Sequence, residues 1–385
     1  MKIAIVSNNT FSIYGGYEKV TSLVLKTLKE KYHCEVFIIS VPHYVSLLNK
    51  PPLEIFTNFP IYRDSDYESR ANYITTVSIK RFLGKDLLMN LRSLKQAFSG
   101  LPYFDIALVT DPLLLNSTKV ALIEKGMKAK VVYWDHGSLF GYLRGKIQKV
   151  IYEKEILKGI FSTDAFLCIS SEICDFVKGI KPSANTYLVY NPVMPYEGPL
   201  IKRSAYPNFV YVGRLTDSDK NISFLLKGLS MLKDRNWELI IIGTGPDEQK
   251  LKNLASKLGI SERIRWLGFK EDPFSHIEEA TALVLTSRWE GFPMVLVEAN
   301  QRGIPVISSD CRSGPKDIVI NGVNGYLYRE GDIKNFLEVI SGVIDGRLKF
   351  DTPENIAKTT ERFDADKVLS NIYNALQKIV GGSLT

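Results

Sequence analysis

Three observations in this 385-residue sequence predict an α/β fold built from two parallel-sheet units. Short β-branched runs alternate with amphipathic stretches from end to end, the pattern of parallel strands joined by helical crossovers. Near the middle, Asn191-Pro192-Val193-Met194-Pro195-Tyr196-Glu197-Gly198-Pro199 can continue neither a strand nor a helix and reads as a linker. The length, with 45% hydrophobic and 24% charged residues, supplies two cores and excludes intrinsic disorder.

Taken in order, Lys2 to Ser7 is the first strand. Its apolar run is too short for a signal-peptide core, and no uninterrupted run reaches the ~18–20 residues that cross a bilayer. Gly15-Gly16 then precede a helix whose Val20, Leu23, Val24 and Leu28 form an apolar stripe. Further strands are expected at 35–40, 104–110, 130–136, 165–171 and 186–191. Between 41 and 104 the pattern loosens into a polar, aromatic segment from Tyr62 to Tyr73, followed by a basic amphipathic helix at 78–98. There Lys80, Arg81, Lys85, Arg92 and Lys95 interleave with apolar residues, as on a surface helix of a soluble domain or one resting on anionic lipid. The second half repeats the scheme with strands at 208–213, 237–243, 264–268, 282–287, 305–309 and 325–328. Residues 366–380 place Val368, Leu369, Ile372, Leu376 and Ile379 on one face of a terminal helix.

Charge and cysteine content narrow the setting. Residues 1–195 carry 24 basic against 17 acidic residues, whereas 196–385 carry 25 of each, so the whole +7 balance lies in the first half. Such a field suits nucleic acid, an anionic membrane or a negatively charged ligand. Cys34, Cys168, Cys174 and Cys311 are scattered and read as buried free thiols in a reduced, cytoplasmic setting. With four histidines and no paired spacing, no zinc site is expected.

The most specific local pattern runs from Glu290-Gly291-Phe292-Pro293-Met294 to Glu298 and on to Gly303. Pro293 suits a first helical turn and Gly303 an end, so a short helix is expected over 293–302. Glu290 then lies in the loop after a strand and Glu298 within a largely apolar helix, where an acid needs a reason to be present. The two carboxylates suit hydroxyls on different parts of one extended ligand, and the amides of Gly291, Phe292 and Met294 offer an anion site. Gly213-Arg214-Leu215 with Lys220 places a guanidinium fork and a compact ammonium beyond a strand end, a combination suited to a diphosphate. Gly243-Thr244-Gly245-Pro246 is another strand-to-helix turn, but Glu248 stands where a dinucleotide fingerprint needs glycine, and no phosphate-binding GxxxxGK[ST] exists. In the first half, Gly15 and Gly16 admit either close phosphate approach or a plain turn. His136, in Asp135-His136-Gly137, is the one histidine set at a carboxyl strand end beside a glycine, a position that serves equally for a satisfied hydrogen-bonder.

Together these residues resemble the retaining glycosyltransferase family 4. The match is dense from Val210 through Tyr328, where it rests on Glu290-x7-Glu298, Gly213-Arg214-Leu215 with Lys220, Gly243-Thr244-Gly245-Pro246 and Ser308 through Ile318. In the first half only Gly15-Gly16-x-Glu18 and Asp135-His136-Gly137 match. The resemblance implies the GT-B fold, two Rossmann-like domains facing across a cleft. It divides the chain into an acceptor-binding domain at 1–192, a sugar-nucleotide domain at 193–365 and a C-terminal helix at 366–385 that packs back on the first domain. It assigns Arg214, Lys220, Glu290 and His136 to catalysis, and Gly15, Gly16, Gly245, Gly291, Phe292, Pro293 and Glu298 to donor binding. Transfer with retention, no metal and no cofactor is implied, from a UDP-sugar to a glycan or lipid-linked acceptor.

Within that family, Ser313 to Ile318 and the Phe292–Ala299 stretch are similar to bacterial enzymes of lipopolysaccharide core and surface-polysaccharide assembly. That implies cytoplasmic work with peripheral contact on the anionic inner face of the cell membrane. The competing expectations are a GDP-mannose-dependent mannosyltransferase, or a sugar-nucleotide epimerase or a phosphorylase of the same architecture. A catalytically silent partner subunit is a further alternative. Nucleic acid is not an expected partner, because the charge is spread and no recognition motif occurs.

Overall fold

The computed structural model describes residues 1–7, 16–40, 73–75, 85–137, 139 and 146–381. The chain forms two compact units, one from residues up to Tyr190 with the chain after Val368, the other from Asn191–Val368.

The first unit contains β1 (Lys2–Ser7), α1 (Gly16–Glu30), β2 (Glu35–Ser40), β3 (Tyr73–Thr75), α2 (Lys85–Ser99) and β4 (Ile106–Val109). It continues through α3 (Leu115–Glu124), β5 (Lys130–Asp135), α4 (Lys146–Ser162), β6 (Ala165–Cys168), α5 (Ser171–Ile180) and β7 (Thr186–Leu188). The strands form one sheet in the order β3-β2-β1-β4-β5-β6-β7, all pairs parallel. Ile3 to Ser7 and Ile106 to Val109 are fully buried, as expected of central strands covered on both faces. α1 turns Val20, Val24 and Leu28 into the core, and α5 is capped by Ser170, whose hydroxyl accepts from the Ile173 amide.

Sequence periodicity missed β3, a three-residue strand that aligns Tyr73 with Ile38, Ile74 with Ile39 and Thr75 with Ser40. Of the basic helix expected at 78–98, residues 78–84 lie outside the described residues, Lys80 and Arg81 among them. The described part, α2, buries Leu94, Ala97 and Phe98, exposes Arg92, and pairs Lys95 with Glu124 of α3. All four cysteines are free and buried.

The second unit contains β8 (Lys202–Arg203), β9 (Asn208–Val212), α6 (Asp217–Lys220), α7 (Ile222–Ser230), β10 (Glu238–Ile242), α8 (Glu248–Lys257) and β11 (Ile264–Gly268). Then follow β12 (Glu279–Ala280), β13 (Ala282–Leu285), α9 (Met294–Gln301), β14 (Val306–Ser309), α10 (Pro315–Ile318) and β15 (Gly325–Tyr328). Helices α11 (Ile333–Ile344), α12 (Pro353–Lys358) and α13 (Ala365–Gly381) complete the chain. The parallel sheet runs β11-β10-β9-β13-β14-β15, and β8 pairs with β12 apart from it. Phe209, Tyr211, Leu226, Trp237 and Phe336 lie in one core, where the Trp237 indole donates to the Leu232 carbonyl at 2.9 Å.

In both sheets strand order reverses beside the first strand, at β1/β4 and at β9/β13. Loops leaving the carboxyl ends on either side of such a reversal diverge and open a crevice, the place where open α/β sheets bind ligands. α13 buries Val368, Leu369, Ile372, Leu376 and Ile379, and its Tyr373 stacks on Tyr32 with centroids 3.9 Å apart.

Candidate functional site

The strand reversal of the second unit brings together what the sequence separates by 70 positions. The segment between β9 and α7 carries Arg214 and, at the end of α6, Lys220, and the loop after β13 carries Glu290. Lys220 Nζ lies 2.7 Å from Glu290 Oε1, with the two side chains only 20% and 10% exposed. The same oxygen accepts the Ser287 hydroxyl at 2.6 Å. Oε2 takes no hydrogen bond among the described residues.

Local backbone sets this pair. α6 is a single turn that ends at Asn221 in the left-handed region (φ 52°), after which α7 starts in a new direction. Thr286 Oγ1 donates to the carbonyls of Lys220 and Asn221, at 3.0 and 3.1 Å. Arg288 binds the same turn, its amide to the Asp219 carbonyl and its guanidinium to the Asp217 carbonyl, each at 2.8 Å. Arg214 is exposed and forms no ion pair among the described residues. Its carbonyl accepts from the buried Tyr211 hydroxyl at 3.2 Å. Burial pushes that phenol well above its ordinary pKa, and the nearby charge of Glu290 adds to the effect.

The turn at Gly243–Pro246 supports Arg214 by contact of backbone with backbone. The Leu215 amide donates to the Thr244 carbonyl at 2.9 Å and the Asp247 amide to the Leu215 carbonyl at 3.1 Å. A Cβ at Gly243 would lie 1.9 Å from the Gly213 carbonyl oxygen, and one at Gly245 would lie 2.5 Å from the Leu215 carbonyl oxygen. Gly245, read in the sequence as a donor-binding residue, is thus required here for the loops to touch.

At α9, Pro293 is the cap and the helix begins at Met294, one residue later than expected. The Met294 amide is not available to an anion, because it donates to the Phe292 carbonyl at 2.8 Å; this corrects the expected three-amide site. The Gly291 carbonyl accepts the Ser313 hydroxyl at 2.6 Å, while Phe292 and Pro293 are buried. Phe292 packs edge-on against Phe363, with centroids 5.5 Å apart. Glu298 is half-buried in the middle of α9.

In the first unit, Asp135 organises the loop after β5. Its Oδ1 accepts the Tyr133 hydroxyl at 2.8 Å, the Gly137 amide at 3.0 Å and the Leu139 amide at 3.3 Å. His136 follows, with its ring 4.3 Å from that of Trp134. The residue keeps some exposed surface, yet both ring nitrogens are buried, and desolvation lowers the imidazole to about 3. The ring is therefore neutral at pH 7. Gly16 opens α1, and Gly15 lies outside the described residues. No group of three or more His, Cys, Asp or Glu side chains is gathered for a metal ion among the described residues.

Ser287, Thr286 and Asp135 were not singled out in the sequence for a role at the site. A hydroxyl three residues before Glu290 at a strand end was the signal available for Ser287, but its bond depends on how the loop folds.

Residues 198–363 match the family described as Glycosyl transferases group 1. The chain is 30% identical over 392 residues to the lipopolysaccharide 1,6-galactosyltransferase of Salmonella typhimurium, covering 98% of each chain. It is 33% identical over 285 residues to the protein of the same description from Escherichia coli K12, covering 72% of this chain and 74% of that one. Among solved structures, the apo lipopolysaccharide outer core galactosyltransferase WaaB superposes with a TM-score of 0.81 at 30% identity, over 98% of this chain and 99% of that one. In fold alone, Anabaena Alr3699/HepE in complex with UDP reaches a TM-score of 0.70 at 18% identity, over 98% of this chain and all of that one.

Proposed function

From its membership of the group 1 glycosyltransferases, to which this chain belongs and whose GT-B fold it has, we propose that it transfers galactose from UDP-galactose to a hydroxyl of a lipopolysaccharide core acceptor. Transfer proceeds with retention and without a divalent metal. The observation that carries this reading is the Lys220–Glu290 pair, seated at the strand reversal inside the matched region and tied down from both loops. The galactose comes from the two relatives, whose descriptions both name a 1,6-galactosyltransferase.

In this reading the second unit holds the donor and the basic first unit serves the acceptor. Glu290 offers Oε2 to a hydroxyl of the donor sugar, and Glu298 takes hydroxyls of the ribose. Lys220 and the exposed Arg214 meet the diphosphate as negative charge builds on the leaving group, the electrostatic contribution that lowers the barrier most. The departing phosphate helps to deprotonate the acceptor hydroxyl as the new bond forms on the same face, so no enzyme carboxylate needs to act as nucleophile. His136, neutral at pH 7, does not serve as a cationic acid in this reading.

The test is nucleotide release with UDP-galactose, UDP-glucose, UDP-N-acetylglucosamine and GDP-mannose, each with truncated core lipopolysaccharide as acceptor. UDP-galactose is expected to turn over fastest, to leave an α-linked product by NMR, and to be unaffected by a chelator. Preference for GDP-mannose, or epimerisation of the sugar nucleotide without transfer, overturns the proposal. Lys220→Ala and Glu298→Ala are each expected to lower transfer by at least ~10-fold, and wild-type rates in both would remove these residues from the site.

A further inference from the structure

We infer that Ser287 is a positioning residue for Glu290, and that it sets how sharply the enzyme tells one donor hexose from its epimer. The inference rests on the proposal that Glu290 contacts the donor sugar. Ser287 is fully buried at the carboxyl end of β13, beside Thr286, which is 1% exposed. These neighbours each hold one half of the ion pair. Thr286 binds the backbone that presents Lys220, and Ser287 binds the carboxylate of Glu290. Ser287 is itself fixed, since its carbonyl accepts the Ser309 hydroxyl at 2.6 Å from the end of β14, where Ser309 is 1% exposed.

Two donors on one oxygen, at 2.6 and 2.7 Å, determine the rotation of the carboxylate plane. Lys220 alone does not, because an ammonium is a compact charge that tolerates a range of approach angles. The hydroxyl therefore supplies the directionality, and Oε2 is left aimed at one place. Epimeric hexoses differ in where one hydroxyl sits, so an acceptor oxygen of fixed direction separates them better than one free to turn. Ser287→Ala removes one of these two donors and leaves Oε1 to Lys220 among the described side chains.

The experiment compares kcat/KM for UDP-galactose and UDP-glucose in the wild type, Ser287→Ala and Glu290→Gln, with UDP binding measured by calorimetry. Ser287→Ala is expected to lower the ratio of the two specificity constants by about fivefold or more through kcat, while the Kd for UDP stays within about twofold. A merely structural role would slow both donors alike and leave the ratio in place, which would overturn the inference. If Glu290→Gln keeps wild-type rates and ratio, the reading of Glu290 falls. If it loses both while Ser287→Ala keeps the ratio, the inference about Ser287 alone falls. Should Ser287→Ala not bind UDP, Ser287→Cys, with similar volume and a weak donor, takes its place. Its ratio is expected below that of the wild type, and an unchanged ratio overturns the inference.

Discussion

His136 shows how far a side chain's chemistry depends on where it is buried. In the sequence it is a histidine at a strand end, able to carry a proton near neutral pH. In the structure burial takes its imidazole from 6.5 down to about 3, so it carries no charge under physiological conditions. The sign of the stability effect follows. Above pH 6.5 both folded and unfolded forms are neutral and the fold keeps its full stability; as pH falls, the unfolded chain takes up a proton that the folded chain refuses. Stability is expected to drop by up to about 1.4 kcal/mol for each pH unit below that point, until pH approaches 3. Urea unfolding of wild type and His136→Asn between pH 7 and 5 checks this: the variant should lose stability less steeply. Glu290 makes the complementary point, since its motif was legible while its partners Lys220 and Ser287 were joined only by the fold.

Among the elements, glycines separate what a loop requires from what a helix tolerates. Gly243 has φ 139°, and a Cβ there would meet the Gly213 carbonyl oxygen at 1.9 Å. Gly243→Ala is therefore expected to destabilise the protein by about 3 kcal/mol or more. Gly179, in α5, has open space around it, and Gly179→Ala should stabilise by roughly 0.5–1 kcal/mol. Equilibrium denaturation of both variants measures the contrast. The main strands and the terminal helix were legible because each carries its own apolar pattern, as in Ile3 to Val6 and in Val368 to Ile379. Strand β3 and the pair β8/β12 were not, because two or three residues are too few for a period and pair only where a neighbouring edge is already present. The Met294 amide was misread because an inverse γ-turn centred on Pro293 (φ −75°, ψ 81°) takes it up, a local bond that residue spacing alone does not reveal.

For the molecule as a whole, the asymmetric charge is the feature with a consequence outside the chain. The first 195 residues hold the entire +7 balance, and no helix among the described residues is long and apolar enough to cross a membrane. We propose that this basic half attracts an anionic surface through its charge. Reversing the charges of Lys80, Arg81 and Lys85 should reduce sedimentation with phosphatidylglycerol-rich vesicles, and raised salt should do the same to the wild type; binding that survives both changes would exclude these residues as the contact. What the sequence by itself determined is the α/β class, the main strands, the linker composition and the identity of the charged motif residues. Each of these depends on residue type and near-neighbour spacing. Tertiary structure alone decided that Lys220 and Glu290 form one pair, that Ser287 and Thr286 hold it, and that His136 is neutral. Those outcomes depend on strand order and burial, which join residues far apart in the chain and leave no local pattern to read.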